Sequence, residues 1–360
     1  MDTIMDTLHI DKYYTTYECM LDAFDSCARK LAYNASNIDE YNEWKKKLRD
    51  ELNNITGISK MKKCELMPQV LENRQMDGYV RKKVIIQTEN KVWMPFYILV
   101  PDDLKEGEKR PSIIAAHGHG CGGKFAPAGV TEIPVIQRNV EHENSDYGLQ
   151  LAKKGFIVFC PDARGSGERR ERREQGDDKN KFIGSSCNDL NFAAISMGRS
   201  LTGMWVWDLM RLIDFISTLD YCDTDRIGCC GFSGGGLQSI WLAAMDDRIK
   251  CAVVSGYFHG YRDSVMRTNR CGCNFVPHLW ETADMGDLGA LVAPRPLLIE
   301  SGDRDSLNGP RGITDVKEQY EITLEAYKLH GAADKLEHHV YEGGHKWYGV
   351  HAVPFFKKWL

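Results

Sequence analysis

A serine framed by glycines occupies the chain at residues 231–235, which read Gly-Phe-Ser-Gly-Gly. The apolar run 227–230 before it is typical of a buried strand. Apolar residues recur at helical spacing after it, at Leu237, Ile240, Trp241 and Ala244. A strand can turn directly into a helix at Ser233 because small neighbours let the two elements pass closely. The pattern Gly-x-Ser-x-Gly therefore predicts a nucleophile elbow, and a glycine-rich turn without chemistry is the alternative.

Two further apolar runs lead to the other side chains that acyl transfer needs. The first is followed by the carboxylates Asp303 and Asp305, and the second is followed by His345. Serine attacks an ester when a neutral histidine accepts its proton and a carboxylate orients that histidine. The order Ser, Asp, His is the one expected of α/β-hydrolases. We therefore predict Ser233 as the nucleophile and His345 as the base, with Asp303 or Asp305 as the acid.

An oxyanion hole is predicted after another apolar run, at residues 112–116. The turn that follows, His-Gly-His at 117–119, is of the kind that supplies one backbone donor, and the residue after the nucleophile supplies the other. We expect the N–H groups of His119 and Gly234 to meet the developing negative charge, each contributing about 3 kcal/mol. His117 is expected to tie this turn to the sheet.

The composition is that of an ordinary globular protein. The 360 residues carry a formal net charge of −5, with 42% hydrophobic and 27% charged residues, and nothing in this balance favours nucleic acid as a partner. No apolar run approaches the roughly 20 residues of a membrane helix, and the first residues lack a basic leader. We therefore expect a cytoplasmic protein with no membrane partner, whose twelve scattered cysteines are thiols.

Residues 1–65 are predicted to form an N-terminal helical extension that precedes a catalytic domain at 66–360. A helix capped by Ser36 or Asn37 would present one apolar face, formed by Tyr41, Trp44, Leu48 and Leu52. We expect this face to pack on the catalytic domain. A subunit contact in a homo-oligomer, or a cover over the active site, is the alternative.

The catalytic domain is predicted to be α/β. Alternating residues over 79–100, with a turn at 89–91, indicate an antiparallel hairpin at the sheet edge. From residue 111 onwards, strand and helix patterns alternate, as in a mostly parallel, doubly wound sheet. Residues of about 258–285 break the pattern and are interpreted as a cap-like insertion.

A series of motifs over roughly residues 80–350 resembles the acetyl xylan esterase-like branch of the α/β-hydrolases, which is related to cephalosporin deacetylases and dienelactone hydrolases. The motifs lie at 198–203, 207–214, 225–228, 231–236, 248–257 and 293–302. The resemblance implies a serine esterase for acetylated carbohydrate or other small esters, with no metal or organic cofactor. Its pattern Gly-x-x-Asp, starting at Gly302, selects Asp305 as the acid and makes Asp303 a turn residue.

Candidate substrate contacts come from a charged run, one predicted helix and the region of the insertion. The charged run 161–181 mixes signs and favours a solvated loop, although Arg164, Glu168 or Arg169 at its start could face the pocket, because such sites open at the carboxyl ends of strands. Trp205 is interpreted as a core residue or a wall of the acyl pocket. The full set of candidate substrate contacts is Glu168, Arg169, Trp205, Tyr257, Phe275 and His278.

The insertion also contains Cys271 and Cys273, followed by His278. A structural zinc site needs four ligands and usually has wider cysteine spacing, so these three residues favour a cap over the acyl pocket instead of a metal site. Two other functions are open. A peptidase of the prolyl-oligopeptidase type would need a propeller that the first eighty or so residues are too short to form. A non-catalytic binding module would have no need of a complete triad.

Overall fold

The structure is a computed structural model that describes residues 12–176, 178–268 and 270–360. Its described strands form one sheet and are β1 (Gln69–Gln75), β2 (Tyr79–Glu89), β3 (Val92–Pro101), β4 (Arg110–Ala116), β5 (Ile157–Pro161), β6 (Cys222–Phe232), β7 (Ile249–Ser255), β8 (Leu297–Gly302) and β9 (Leu336–Tyr341). Their order across the sheet is β1-β2-β3-β5-β4-β6-β7-β8-β9. The strand that carries Ser233 at its end, β6, therefore lies near the middle of the sheet.

Strand direction divides the sheet into two parts. The pairs from β5 through β4 to β9 are parallel, and the pairs among β1, β2, β3 and β5 are antiparallel. The predicted hairpin is confirmed as β2 and β3, but it is not the edge. The edge strand is β1, which pairs with β2 from Gln69 opposite Ile85 to Gln75 opposite Val80. Its mostly exposed, polar residues gave no strand pattern.

Helices cover both faces of the sheet. The described α-helices are α1 (Tyr17–Cys27), α2 (Ile38–Ile55), α3 (Pro134–Glu143), α4 (Tyr147–Ala152), α5 (Lys179–Ile183), α6 (Cys187–Ser196), α7 (Leu201–Ile216), α8 (Gly234–Met245), α9 (Leu279–Thr282), α10 (Met285–Val292), α11 (Ile313–Leu329) and α12 (Ala352–Trp359). None of these has the length and apolar character needed to cross a membrane.

The alternation along each strand separates two cores. On β4, Ile113 and Ala115 belong to the core that α4 and α12 cover, whereas Ile114 belongs to the larger core with α2, α7 and α8. Since successive side chains of a strand point to opposite faces, a strand buried on both sides reads as a continuous apolar run. The predicted mostly parallel, doubly wound α/β sheet is thereby confirmed.

The predicted helix of the N-terminal extension is α2. Asn37 caps it, because its side chain accepts a hydrogen bond from the N–H of Glu40. The predicted apolar face is buried, and the Tyr41 hydroxyl donates to the carbonyl oxygens of Ala290 and Ala293 at 2.9 and 2.8 Å. The helix thus packs on the body of the protein through α10. The part of the predicted extension at residues 1–11 lies outside the described residues.

Candidate active site

Ser233 joins β6 to α8 with φ 57° and ψ −120°, a conformation that costs about 1–3 kcal/mol for a residue other than glycine. Its N–H donates to the carbonyl oxygen of Ser255 at 2.9 Å. A Cβ on Gly231 would lie 2.3 Å from the carbonyl carbon of Gly235, and one on Gly235 would lie 2.0 Å from the carbonyl oxygen of Ala116. Glycine is therefore required at both positions. The geometry is that of a nucleophile elbow, with Ser233 half-buried.

His345 and Asp305 follow β9 and β8 and form a hydrogen-bonded pair. His345 Nδ1 lies 2.6 Å from Asp305 Oδ2, and the carboxylate is buried whereas the imidazole is 24% exposed. The other carboxylate oxygen accepts the N–H of Leu307 at 2.9 Å. The imidazole lies against the ring of Phe232, the residue before Ser233, with centroids 4.4 Å apart. With Nδ1 bonded to Asp305, Nε2 is the imidazole nitrogen that is left for a second partner.

Asp303 has a different partner. Its Oδ1 accepts the N–H of Gly343 at 2.8 Å, and the same oxygen lies 3.7 Å from Arg304 Nε. These contacts join the loop after β8 to the loop that carries His345. Of the two predicted acids, Asp305 is therefore the one at hydrogen-bonding distance from the histidine, and Asp303 stabilises the turn.

The turn after β4 lies directly against the elbow. A Cβ on Gly118 would lie 2.9 Å from the carbonyl oxygen of Phe232 and 3.4 Å from Ser233 Cβ. In the described part of the chain, neither the N–H of His119 nor that of Gly234 donates a hydrogen bond. Gly234 is also the first residue of α8, where the helix dipole favours negative charge. Both predicted oxyanion donors are therefore available beside the nucleophile.

His117 is buried under this turn and links it to β5. Its Nε2 accepts the N–H of Ala163 at 3.0 Å, so the ring proton lies on Nδ1, which is 2.7 Å from the carbonyl oxygen of Gly118. Burial lowers the pKa of His117 and keeps the ring neutral. These contacts match the structural role that the sequence predicts for it.

The charged run after β5 is not a solvated loop at its start, so that expectation is wrong there. The side chains of Arg164 and Arg169 are 11% and 7% exposed, and both donate to the carboxylate of Asp208 on α7, at 2.7 to 2.9 Å. Glu168 accepts from Lys83 at 2.6 Å. Opposite charges pair inside the protein, which removes the cost of burying them alone. Glu168 and Arg169 line a cavity of about 490 Å³ beside β2 and β3, and their role in substrate binding stays a prediction.

Two of the candidate substrate contacts lie next to the elbow and are buried. Trp205 donates from Nε1 to the carbonyl oxygen of Arg164 at 3.0 Å, and its ring centroid lies 6.2 Å from that of His119. Tyr257 donates from its hydroxyl to Asn274 Oδ1 at 2.6 Å. A Cβ on Gly236, in the first turn of α8, would lie 2.8 Å from Tyr257 Cβ. Both aromatic side chains are therefore fixed close to the nucleophile.

The other two candidates lie further out on the insertion. Phe275 is exposed, with its ring centroid 5.8 Å from that of Trp280. The His278 side chain is 70% exposed, and its Nδ1 lies 3.1 Å from Glu281. Both residues occupy the surface near α9, and their contact with substrate stays a prediction.

From sequence, Cys271, Cys273 and His278 are too few for a metal site, and the histidine that lies beside the two cysteines is not His278 but His119. The two cysteines converge with His119 and Cys187, and the four possible ligand atoms lie within 4.8 Å of one another. The expectation of no metal rested on a missing fourth ligand, which this cluster supplies. No local sequence pattern predicts this cluster, because its residues come from three distant segments. Each of the twelve cysteines is a free thiol, as predicted.

Comparisons with solved structures identify the fold. The chain is similar to a solved structure titled "putative acetyl xylan esterase" from Bacteroides fragilis NCTC 9343, with a TM-score of 0.74 and 18% identity over 92% of this chain and 82% of the other. It is also similar to a glucuronoyl esterase from Solibacter usitatus, with a TM-score of 0.65 and 16% identity over 92% and 96% of the two chains. Together with the elbow and the sheet, these likenesses define an α/β-hydrolase fold.

Sequence comparison gives the family. The chain is 29% identical over 256 residues to the Bacillus subtilis (strain 168) protein named "Putative hydrolase YtaP", a match that covers 69% of this chain and 79% of the relative. The model of the Abhydrolase family matches residues 5–346. The protein therefore belongs to the Abhydrolase family.

Proposed function

We propose that the protein is a serine carboxylic-ester hydrolase with Ser233 as nucleophile, His345 as general base and Asp305 as the orienting acid. The observation that carries this proposal is the His345 Nδ1 to Asp305 Oδ2 hydrogen bond of 2.6 Å, formed beside the strained serine of the elbow. A buried carboxylate fixes the imidazole in the tautomer that can accept a proton at Nε2.

The reaction follows from these positions. His345 Nε2 takes the proton of Ser233 Oγ as Oγ bonds to the ester carbonyl carbon, and the N–H groups of Gly234 and His119 stabilise the resulting oxyanion. The imidazolium then gives its proton to the leaving alcohol, which leaves an acyl-enzyme. His345 then takes a proton from water as the water oxygen bonds to the acyl carbon, and it gives that proton to Ser233 Oγ as the bond between Oγ and the acyl carbon breaks, which releases the carboxylic acid and restores Ser233.

For the substrate, we propose a small ester with a short acyl group, acetyl first, on carbohydrate or another small molecule. The buried Trp205 and Tyr257 support this choice, because they limit the space beside the elbow. One similar structure is titled an acetyl xylan esterase, in which a sugar is the alcohol part of the ester. Another is titled a glucuronoyl esterase, in which the sugar acid is the acyl part, and this class is the competing candidate.

The rival functions receive no support from the described residues. The described residues before β1 form α1, α2 and one short 3₁₀ turn, which supply no observation in favour of a prolyl-oligopeptidase. A binding module without catalysis would have no need of a strained serine or of a paired histidine and carboxylate.

The test is hydrolysis of p-nitrophenyl acetate, acetylated xylan and the methyl ester of glucuronic acid by purified protein. We expect the two acetyl esters to be cleaved, and Ser233→Ala to lose at least about 10⁴-fold in kcat on each. Ser239→Ala is the matched control, because Ser239 Oγ is buried in α8 and donates to the carbonyl oxygen of Gly235. Cleavage of the glucuronate ester alone would move the proposal to that class, and no cleavage by folded protein would refute it.

A further inference from the structure

Three separate segments meet at one cluster of soft ligands. His119 comes from the oxyanion turn, Cys187 is the first residue of α6, and Cys271 and Cys273 belong to the insertion after β7. Their four possible ligand atoms lie within 4.8 Å of one another. His119 Nε2 lies 3.3 Å from Cys273 Sγ and 3.8 Å from Cys187 Sγ.

These distances suit a tetrahedral ion. Zinc bonds of about 2.3 Å to sulfur and 2.0–2.1 Å to nitrogen, at tetrahedral angles, separate the two ligand atoms by about 3.6 Å. The two measured separations fall on either side of that value. The side chains are therefore already arranged around a centre that can hold a metal.

The ligand atoms also indicate which metal would bind. Thiolates together with an imidazole are the ligand set of structural zinc, and hard cations such as Mg²⁺ or Ca²⁺ prefer oxygen. Cys187 and Cys273 are fully buried and His119 and Cys271 are half-buried, so most of the site is shielded from solvent. We propose that His119, Cys187, Cys271 and Cys273 bind one zinc ion in a closed structural site. Zn²⁺ would displace the three thiol protons to solvent, while neutral His119 contributes the lone pair of Nε2.

The surrounding residues hold the ligands in place, as outer-shell partners do in metal sites. Asn274 Nδ2 donates to Cys273 Sγ at 3.5 Å. Asn188, next to Cys187, accepts the N–H of Gly272 at 2.7 Å, which fixes the loop between the two insertion cysteines. The Asn188 bond therefore joins the insertion to α6 beside the proposed ion, and the Asn274 bond holds Cys273 within the insertion.

The ion would also fix the oxyanion turn, a consequence that rests on the proposed function. The His119 ring lies between the cluster and the elbow, because a Cβ on Gly234 would lie 2.7 Å from His119 Nδ1. With Nε2 on zinc, the ring and the peptide before it cannot rotate away from Ser233. His119 is then a positioning residue through its side chain and an oxyanion donor through its N–H.

The experiment measures metal in the full chain, purified without a histidine tag from cells grown with zinc. We expect about one zinc per chain by plasma mass spectrometry, and roughly a tenth or less in Cys187→Ser and in Cys273→Ser. Cys121→Ser is the matched control, because this buried thiol lies two residues from His119 yet donates to the carbonyl oxygen of Gly118, and it should keep the metal. Replacement of zinc by Co²⁺ in the unmutated protein should give the intense near-ultraviolet bands of thiolate-to-cobalt charge transfer.

Other outcomes would overturn the inference. The inference fails if fully reduced wild-type protein takes up neither zinc nor cobalt. It also fails if the cysteine variants are folded by circular dichroism and still keep the zinc, or if freshly purified protein has a disulfide among the three thiols. The cobalt measurement needs no variant, so a misfolded mutant does not affect it. Zinc content is read without substrate, so active protein that binds no zinc would refute this inference alone, and zinc-bound protein without activity would refute the proposed function alone.

Discussion

Asp305 Oδ2 lies 2.6 Å from His345 Nδ1, whereas Asp303, two residues earlier, bonds to the backbone of Gly343. Both carboxylates follow the same strand, and both contact the loop that carries the histidine. The first can orient the imidazole and stabilise its positive charge, and the second can only hold the loop. The pair therefore offers a matched comparison of a proposed catalytic contact with a structural one.

Asp305→Asn should lower kcat by about 10³- to 10⁴-fold, because an amide at this position no longer enforces the tautomer with a free Nε2. Asp303→Asn should change kcat by no more than about threefold, since the amide oxygen can still accept the N–H of Gly343. Steady-state kinetics on p-nitrophenyl acetate measures both. A larger loss in Asp303→Asn would reverse the assignment of the acid.

Ser233 should be the site of a covalent adduct with a fluorophosphonate, because a serine with an adjacent base attacks phosphorus as it attacks an ester. Peptide mapping by mass spectrometry should place the label on Ser233, in the peptide that contains the elbow. Ser239→Ala should label at the wild-type rate, and Ser233→Ala should not label. A label on any other serine of the folded protein contradicts the nucleophile assignment.

The elbow and the central strands could be predicted because local pattern determines them. Glycines at 231 and 235 are required by contacts that a Cβ would violate, and the runs that form β4, β6 and β8 are apolar because both of their faces are buried. The edge strand β1 escaped prediction because its side chains are mostly exposed. Whether such a segment forms a strand depends on its pairing in the folded sheet, and no local sequence pattern shows that pairing.

The candidate site likewise has one part that local sequence patterns predict and one part that they do not. Ser233, Asp305 and His345 each follow a recognisable strand, so their proximity could be expected from the sheet alone. The joining of His119 and Cys187 to Cys271 and Cys273 depends on how a helix and an insertion pack on the sheet. The buried Arg169 and Asp208 pair is similar, because in sequence the arginine belongs to a run of exposed charges. Long-range contacts of this kind have no local pattern.

Glu300 gives the stability of the protein a predicted pH dependence. It lies on β8, and its carboxylate accepts the N–H of Gly349 at 3.1 Å through both oxygens. Burial raises its pKa from 4.5 to about 7. Between these values the folded state keeps a proton that the unfolded state loses, so stability falls as the pH rises from about 4.5 to about 7.

Glu300→Gln should remove this fall, because the amide carries no charge to desolvate. Relative to wild type, its free energy of unfolding should rise by about 3 kcal/mol more at pH 8 than at pH 4.5. Urea unfolding at the two pH values measures the difference. Glu342→Gln, at an exposed position in the loop after β9, should show no such change. An equal effect of Glu300→Gln at both pH values would mean that the pKa of Glu300 is not raised.

The acyl pocket should prefer acetyl to longer chains. An apolar pocket that merely tolerates an extra methylene gains about 1–3 kcal/mol from it, so an open site would favour longer esters and only a wall can reverse the order. Trp205 and Tyr257 are fixed by hydrogen bonds to Arg164 and Asn274, which makes them the proposed wall. The rate constant kcat/KM should therefore fall from p-nitrophenyl acetate to butyrate to octanoate.

Trp205→Ala should raise the ratio of kcat/KM for octanoate to kcat/KM for acetate by at least about tenfold. Trp241→Ala is the control, because Trp241 is buried in the main core on α8. It should destabilise the protein without changing that ratio. A wild-type kcat/KM that rises with chain length would show an open pocket and contradict the proposed short acyl group.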